Sequence, residues 1–197
     1  MPAPHNVLIF GGSFNPPTIA HEAIVAACLA LTQFDQIWLM PSGERLDKHM
    51  GASDQQRLQM AHILKNKRFA GDARVCVSDF ELELPRPTQT YRTANALQTA
   101  YPKVVFWWAF GTDSFYAMPR WQQGTQLQRT LNILLFKRGQ DGMVIQPNVM
   151  SMQLPSGLTD VSSTAVRQAL DKAEDIDQAV SQPILHYIEQ HRLYRNR

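Results

Sequence analysis

Several short stretches of this 197-residue chain hold side chains whose types and spacing suit one chemistry, the handling of phosphate. Gly11-Gly12-Ser13-Phe14 ends an apolar run, and Thr18 and His21 stand just beyond it. Paired glycines let a backbone approach a ligand closely. A helix starting after them offers N–H groups and the positive end of its dipole to an anion. His21, near that helix start, has a ring N–H to donate to a phosphate oxygen. Ser162-Ser163-Thr164 with Arg167 repeats the theme. Ser163 caps a helix, and a guanidinium about one turn on supplies forked donors. Lys48 adds a cation after a second apolar run, and Gly111 with Asp113 closes a third, where a carboxylate can accept from a ribose hydroxyl.

Other readings of the first loop fail on the letters. A phosphate loop ending in Gly-Lys-Ser/Thr is absent, and so is a Gly-x-Gly-x-x-Gly fingerprint. Asn15 breaks a Gly-x-Ser-x-Gly nucleophile elbow. His21-Glu22 opens like a zinc-protease helix, but Val25 stands where the second histidine is needed. Each candidate also has a plain structural alternative. His21 can make a helix-start hydrogen bond, Thr18 can cap, and the Ser162–Arg167 stretch can be an ordinary capped helix. Asp113 can be an N-cap. Lys48, like Arg45 and His49, can be a solvated surface charge. Trp121 offers a flat face to a ring, or a core contact. Trp107 and Trp108 lie inside an apolar run and read as packing.

The elements that must position these groups alternate along the chain. Strand-like runs fall at Asn6–Phe10, Gln36–Met40, Arg74–Ser78, Val104–Phe110, Leu131–Phe136 and Met150–Leu154. Helical stretches fall at His21–Thr32, Ser53–Lys65 with Ser53 as N-cap, Thr93–Ala100, Ser163–Leu170 and Pro183–His191 with Ser181 as N-cap. Asp79–Pro87 alternates Phe80, Leu82 and Leu84 with Glu81 and Glu83, which predicts a half-exposed extended segment. Gly139 to Pro155 reads as the best candidate for a mobile loop. The alternation predicts an α/β fold, Rossmann-like and doubly wound, with a mostly parallel sheet. One domain over 1–197 is expected, with 162–197 as a small helical C-terminal part. In such sheets ligands bind beyond the carboxyl ends of strands, where the candidate loops lie.

Composition narrows the class. Nineteen Lys and Arg against seventeen Asp and Glu leave a net charge of +2, so no broad basic surface for nucleic acid is expected. The two cysteines, Cys28 and Cys76, match no zinc spacing, and Cys28 in its Ala-rich segment reads as a buried thiol. The start of the chain lacks a basic region before its apolar run, and Ala23–Leu31 is too short to span a bilayer. A cytoplasmic protein with no membrane partner is expected. A homo-oligomer and a monomer are equally compatible with the sequence.

Gly11 through His21 (GGSFNPPTIAH) resembles the signature of the nicotinamide/nicotinate mononucleotide adenylyltransferases, within the nucleotidyltransferase superfamily marked by [HT]-x-G-H. Thr18 and His21 match, and Ala20 replaces the motif glycine, which eukaryotic members also lack. Lys48 stands at the place of that family's phosphate-binding lysine. Gly111-Thr112-Asp113 with Trp121 is similar to its Gly-x-Asp…Trp segment. Ser162–Arg167 is similar to its second signature, and the ending Tyr187-Ile188…Leu193-Tyr194 is also alike.

The resemblance implies attack of a mononucleotide phosphate on the α-phosphorus of ATP, with release of pyrophosphate. Magnesium would ride on the ATP phosphates rather than in a protein cage. It implies His21, Lys48 and Arg167 as catalytic groups. It implies Gly11, Gly12, Ser13, Phe14, Thr18, Gly111, Asp113, Ser162, Ser163 and Thr164 around ATP. Tyr91, Thr93 and Trp121 would lie against the pyridine mononucleotide. The neighbouring readings are a pantetheine-phosphate adenylyltransferase, a cytidylyltransferase, or a nucleotide-binding regulator in which Ala20 marks a lost activity. The choice between nicotinate and nicotinamide stays open at this level.

Overall fold

The computed structural model describes residues 5–43, 50–137, 144–154 and 161–194. Lys48, Arg45, His49 and much of the expected loop after Gly139 lie outside them.

The sheet grows outward from β1 (Asn6–Gly12). Its central residues Val7, Leu8 and Ile9 are fully buried, as a strand covered on both faces requires. The strand pairs on one side with β2 (Gln36–Pro41) and on the other with β4 (Val105–Gly111). With β3 (Val75–Val77), β5 (Asn132–Lys137) and β6 (Val149–Gln153) the order is β3-β2-β1-β4-β5-β6, and every neighbouring pair is parallel. The winding therefore reverses between β1 and β4. That reversal opens a crevice at their carboxyl ends, at Gly11-Gly12 and Gly111.

Alternation along β1 assigns its two faces. Leu8 and Phe10 join Val25 and Cys28 of α1 (Ile19–Leu29) and Leu64 of α2 (Asp54–Arg68). Val7 and Ile9 join Leu97 of α3 (Thr90–Ala100) and Trp108. Cys28 is fully buried, and burial pushes its thiol up to about 12. The helix α2 begins as its sequence indicates. Ser53 accepts from the Gln56 N–H, and the Gln56 side chain accepts from the Ser53 N–H at 2.8 Å. Toward the C-terminus, α6 (Ser163–Asp171) and α7 (Gln182–Gln190) form a separate cluster with Ala52 and Met60, so they reach the sheet by way of α2. No described helix is long and apolar enough to cross a membrane.

Two local expectations change. Asp79–Pro87 is not extended: the Leu82 and Glu83 N–H groups donate to the Asp79 carbonyl, making a turn. The alternating side chains describe exposure only. Among the described residues no strand pairs with this segment, and its backbone bonds within itself. The stretch after β4 holds α4 (Thr112–Ala117), a 3-10 turn at Met118–Arg120 and α5 (Gly124–Thr130), all too short to show a periodic signal.

Gly124 is required by packing there. A Cβ on it would lie 1.7 Å from the Met118 carbonyl oxygen. Gly124→Ala must push the Met118–Arg120 turn away, at a cost of about 2 kcal/mol or more. A thermal melt should show a midpoint lowered by several degrees; an unchanged midpoint would mean that the turn yields freely.

Candidate active site

The loop leaving β1 adopts a conformation that the chain does not favour by itself. Phe14 is fully buried and has a φ of 45°, in the left-handed region that non-glycine residues avoid. Surrounding contacts hold it there. The Ser13 carbonyl accepts from Arg57 Nη1 at 2.8 Å, and the Asn15 carbonyl accepts from Arg167 Nη1 at 2.7 Å. The Asn15 side-chain oxygen accepts from the Tyr194 hydroxyl at 2.8 Å, and the Pro16 carbonyl accepts from Ser163 Oγ at 2.8 Å. These oxygens would repel a phosphate. All four are committed to α2, α6 and the C-terminal segment.

Beyond the loop, Thr18 is the N-cap of α1 and is almost fully buried. His21 Nδ1 accepts from the Thr18 backbone N–H at 3.1 Å and lies 2.9 Å from its hydroxyl. A ring nitrogen that accepts a backbone N–H carries no proton, so the neutral ring carries its proton on Nε2. The ring is steadied by Phe14 and Phe10, with centroids 5.2 and 5.8 Å away. Thr18 thus orients the histidine as well as capping the helix. The helix start offers less to an anion than expected. Ile19 N–H donates to the Ala179 carbonyl, and the His21 and Glu22 N–H groups donate to Thr18.

The second signature meets the first across the fold, with its parts reassigned. Ser162 is the cap of α6, accepting from the Ala165 N–H at 3.1 Å. Ser163, expected as the cap, instead ties down Pro16. Thr164 Oγ1 accepts from Arg167 Nη2, while Arg167 Nη1 also reaches the Ser163 carbonyl. Arg167 therefore holds the loop that carries His21. Arg57 does the same from α2 and was not singled out in the sequence. Its signal was present: Arg57, Met60, Ala61 and Leu64 form the buried stripe of that helix, with a cation in an apolar position. Tyr194 was noted only as part of a familiar ending. Burial raises its phenol above the ordinary range, so it stays a donor to Asn15.

Beside the loop lies a cavity of about 420 Å³, bounded by Gly11, Gly12 and Ser13, by Trp108 and Phe110 of β4, by Trp121, and by Thr88, Gln89 and Thr90. A Cβ on Gly11 would meet no protein atom within 4 Å, and the same holds for Gly111. Packing does not require glycine at either place, so the bare backbone leaves room for a ligand. Trp121 sets its edge against Phe110 at 5.9 Å, and Trp108 stacks on Phe110 at 6.4 Å. Trp108 therefore packs and also borders the cavity. Tyr91 and Thr93 do not border it. Thr93 is fully buried with its hydroxyl on the Gln89 carbonyl, and the Tyr91 hydroxyl accepts from Arg92. Helix α3 borders the cavity through its first residue, Thr90, and the wall there continues into the preceding Thr88 and Gln89. Asp113 is exposed in the first turn of α4, whose N-cap is Gly111.

A family model described as cytidylyltransferase-like matches residues 9–169. A Synechococcus protein (strain JA-3-3Ab) named as a probable nicotinate-nucleotide adenylyltransferase is 31% identical, over 98% of this chain and 96% of its own. One of the same name from Bacteroides fragilis (strain YCH46) is 32% identical over 85% and 83%. A Plasmodium falciparum nicotinic acid mononucleotide adenylyltransferase, solved with NaAD, superposes with a TM-score of 0.85 at 24% identity, covering 96% of this chain and 97% of that one. The family model's span and the names of these near-full-length relatives converge: this chain belongs to the cytidylyltransferase-like family, among the nicotinate-nucleotide adenylyltransferases.

Proposed function

We propose that this protein transfers the adenylyl group of ATP to nicotinate mononucleotide, releasing pyrophosphate. The observation that carries the reading is the join between the aromatic-walled cavity and the glycine end of β1, one helix start away from a histidine whose protonated nitrogen is set by the backbone. A flat ring fits between Trp121 and the cavity floor. Nicotinate is preferred to nicotinamide because the relatives are named for it.

The reaction needs no group on the protein to change its bonds. An oxygen of the mononucleotide phosphate forms a bond to the α-phosphorus as the bond to the departing pyrophosphate breaks, with both oxygens in line. Catalysis is then positioning and charge stabilisation. His21 donates from Nε2 to an α-phosphate oxygen as charge builds there. Phe10, Phe14 and Thr18 hold the ring at its angle. Among the described residues no cluster of three or more His, Cys, Asp or Glu is arranged to hold a metal. Magnesium would arrive on the triphosphate oxygens, where it would neutralise charge. In this reading Lys48, outside the described residues, and the backbone at the carboxyl end of β1 would complete the phosphate site.

Protein, magnesium and ATP mixed with either mononucleotide should give dinucleotide and pyrophosphate in equal amounts. The nicotinate form should turn over with a kcat/KM at least about 10-fold higher, a difference of ~1.4 kcal/mol in transition-state binding. ATP binding without pyrophosphate from either acceptor would sink the assignment and leave a regulator. His21→Ala should lower kcat by about 10²–10³, as for the loss of one donor to a developing oxyanion, and lower the melting temperature by a few degrees because the Thr18 N–H loses its acceptor. Near-full turnover in that variant would remove His21 from the site.

A further inference from the structure

Asp54 stands outside both signatures and outside the cavity, yet it joins the two walls of the cavity. It is the first residue of α2, held by the Ser53–Gln56 capping box. One carboxylate oxygen accepts from Arg57 Nη2 at 2.6 Å, and the other accepts from Arg86 Nη2. The other arm of Arg57 holds the Ser13 carbonyl. Arg86 directly precedes Pro87, Thr88, Gln89 and Thr90, which form the opposite wall. The side chain of Arg57 is fully buried, that of Asp54 is 18% exposed and that of Arg86 is 49% exposed.

We propose that Asp54 is a positioning residue that couples the phosphate loop at Ser13 to the mononucleotide wall at Thr88–Thr90, so that the two substrates meet at a set distance. The function of this coupling rests on the adenylyl-transfer reading; the coupling itself does not. A buried guanidinium needs its counter-charge, so Arg57 keeps the carboxylate in place. The second oxygen is thereby presented to Arg86 at a constant position, and the wall that follows Arg86 inherits that position. The alternative is an ordinary half-exposed ion pair between Arg86 and Asp54, which contributes little.

The two accounts separate by hydrogen exchange on the ligand-free full chain. Coupling through Asp54 expects Asp54→Asn to speed exchange of the Ser13–Asn15 and Thr88–Thr90 amides together, by about 10-fold. Arg86→Ala should speed only Thr88–Thr90, whereas Arg57→Lys, which loosens both the Ser13 carbonyl and the Asp54 carboxylate, should speed both segments and serves if Asp54→Asn folds poorly. In turnover, Asp54→Asn should raise KM for both substrates, and Arg86→Ala should raise it several-fold for the mononucleotide with kcat nearly kept. The Asp54→Asn/Arg86→Ala double variant should be no worse than Asp54→Asn alone, and Arg86→Lys should recover part of the loss. Wild-type exchange rates in both segments of Asp54→Asn, or multiplying effects in the double variant, would overturn the coupling. Exchange needs no turnover, so an inert wild-type enzyme would refute the function while the exchange pattern still decides the coupling.

Discussion

A loop that receives phosphate must turn its carbonyl oxygens elsewhere, and most of this architecture can be read as the means of doing so. Between Ser13 and Pro16 the chain takes a left-handed step at a buried phenylalanine, a shape that loose backbone would abandon. Two guanidinium groups, a phenol and a serine hydroxyl hold the oxygens of Ser13, Asn15 and Pro16. The donors come from α2, from α6 and from the segment after α7. The C-terminal helices therefore serve the site without lining the cavity described beside it.

The same constraint gives the histidine its chemistry. With the loop held, Thr18 lands as the cap of α1, and its backbone N–H meets Nδ1 of His21. The proton is thereby assigned to the other nitrogen. Neither the helix dipole nor a carboxylate partner is needed for that assignment. The paired N–H groups of Ile19 and His21 leave fewer free donors at the start of α1 than the motif alone implied.

Sheet order supplies the second half. Placing β1 beside β4 brings Gly11 next to the aromatic end of β4, and the short helices after β4 fold Trp121 back over the gap. Trp108 spans both roles because a strand residue near the carboxyl end has one side in the core and an edge toward the crevice.

Much of this was legible in the residues themselves. Apolar runs located six strands to within a few residues, since burial on both faces leaves little choice of side chain. Ser53 with Gln56 marked a helix start, because capping is a local interaction between neighbours. Gly11, Thr18 and His21 are near neighbours in the sequence, so their grouping at the β1–α1 connection is legible in the same way. What depends on distant partners was not legible. That Ser163 ties down Pro16 rather than capping, and that Arg167 holds the Asn15 carbonyl, depend on contacts across 147 and 152 residues of chain. Arg57 shows the limit most plainly. Its place on an apolar stripe and its counter-charge Asp54 one turn earlier are local, but the Ser13 carbonyl that it holds lies 44 residues earlier, and only the folded chain brings the two together. Local sequence thus determined the strands and the capped start of α2, because those interactions close over a few residues. The tertiary structure decided what each charged group holds, because a buried charge takes its role from whichever partner the fold places beside it.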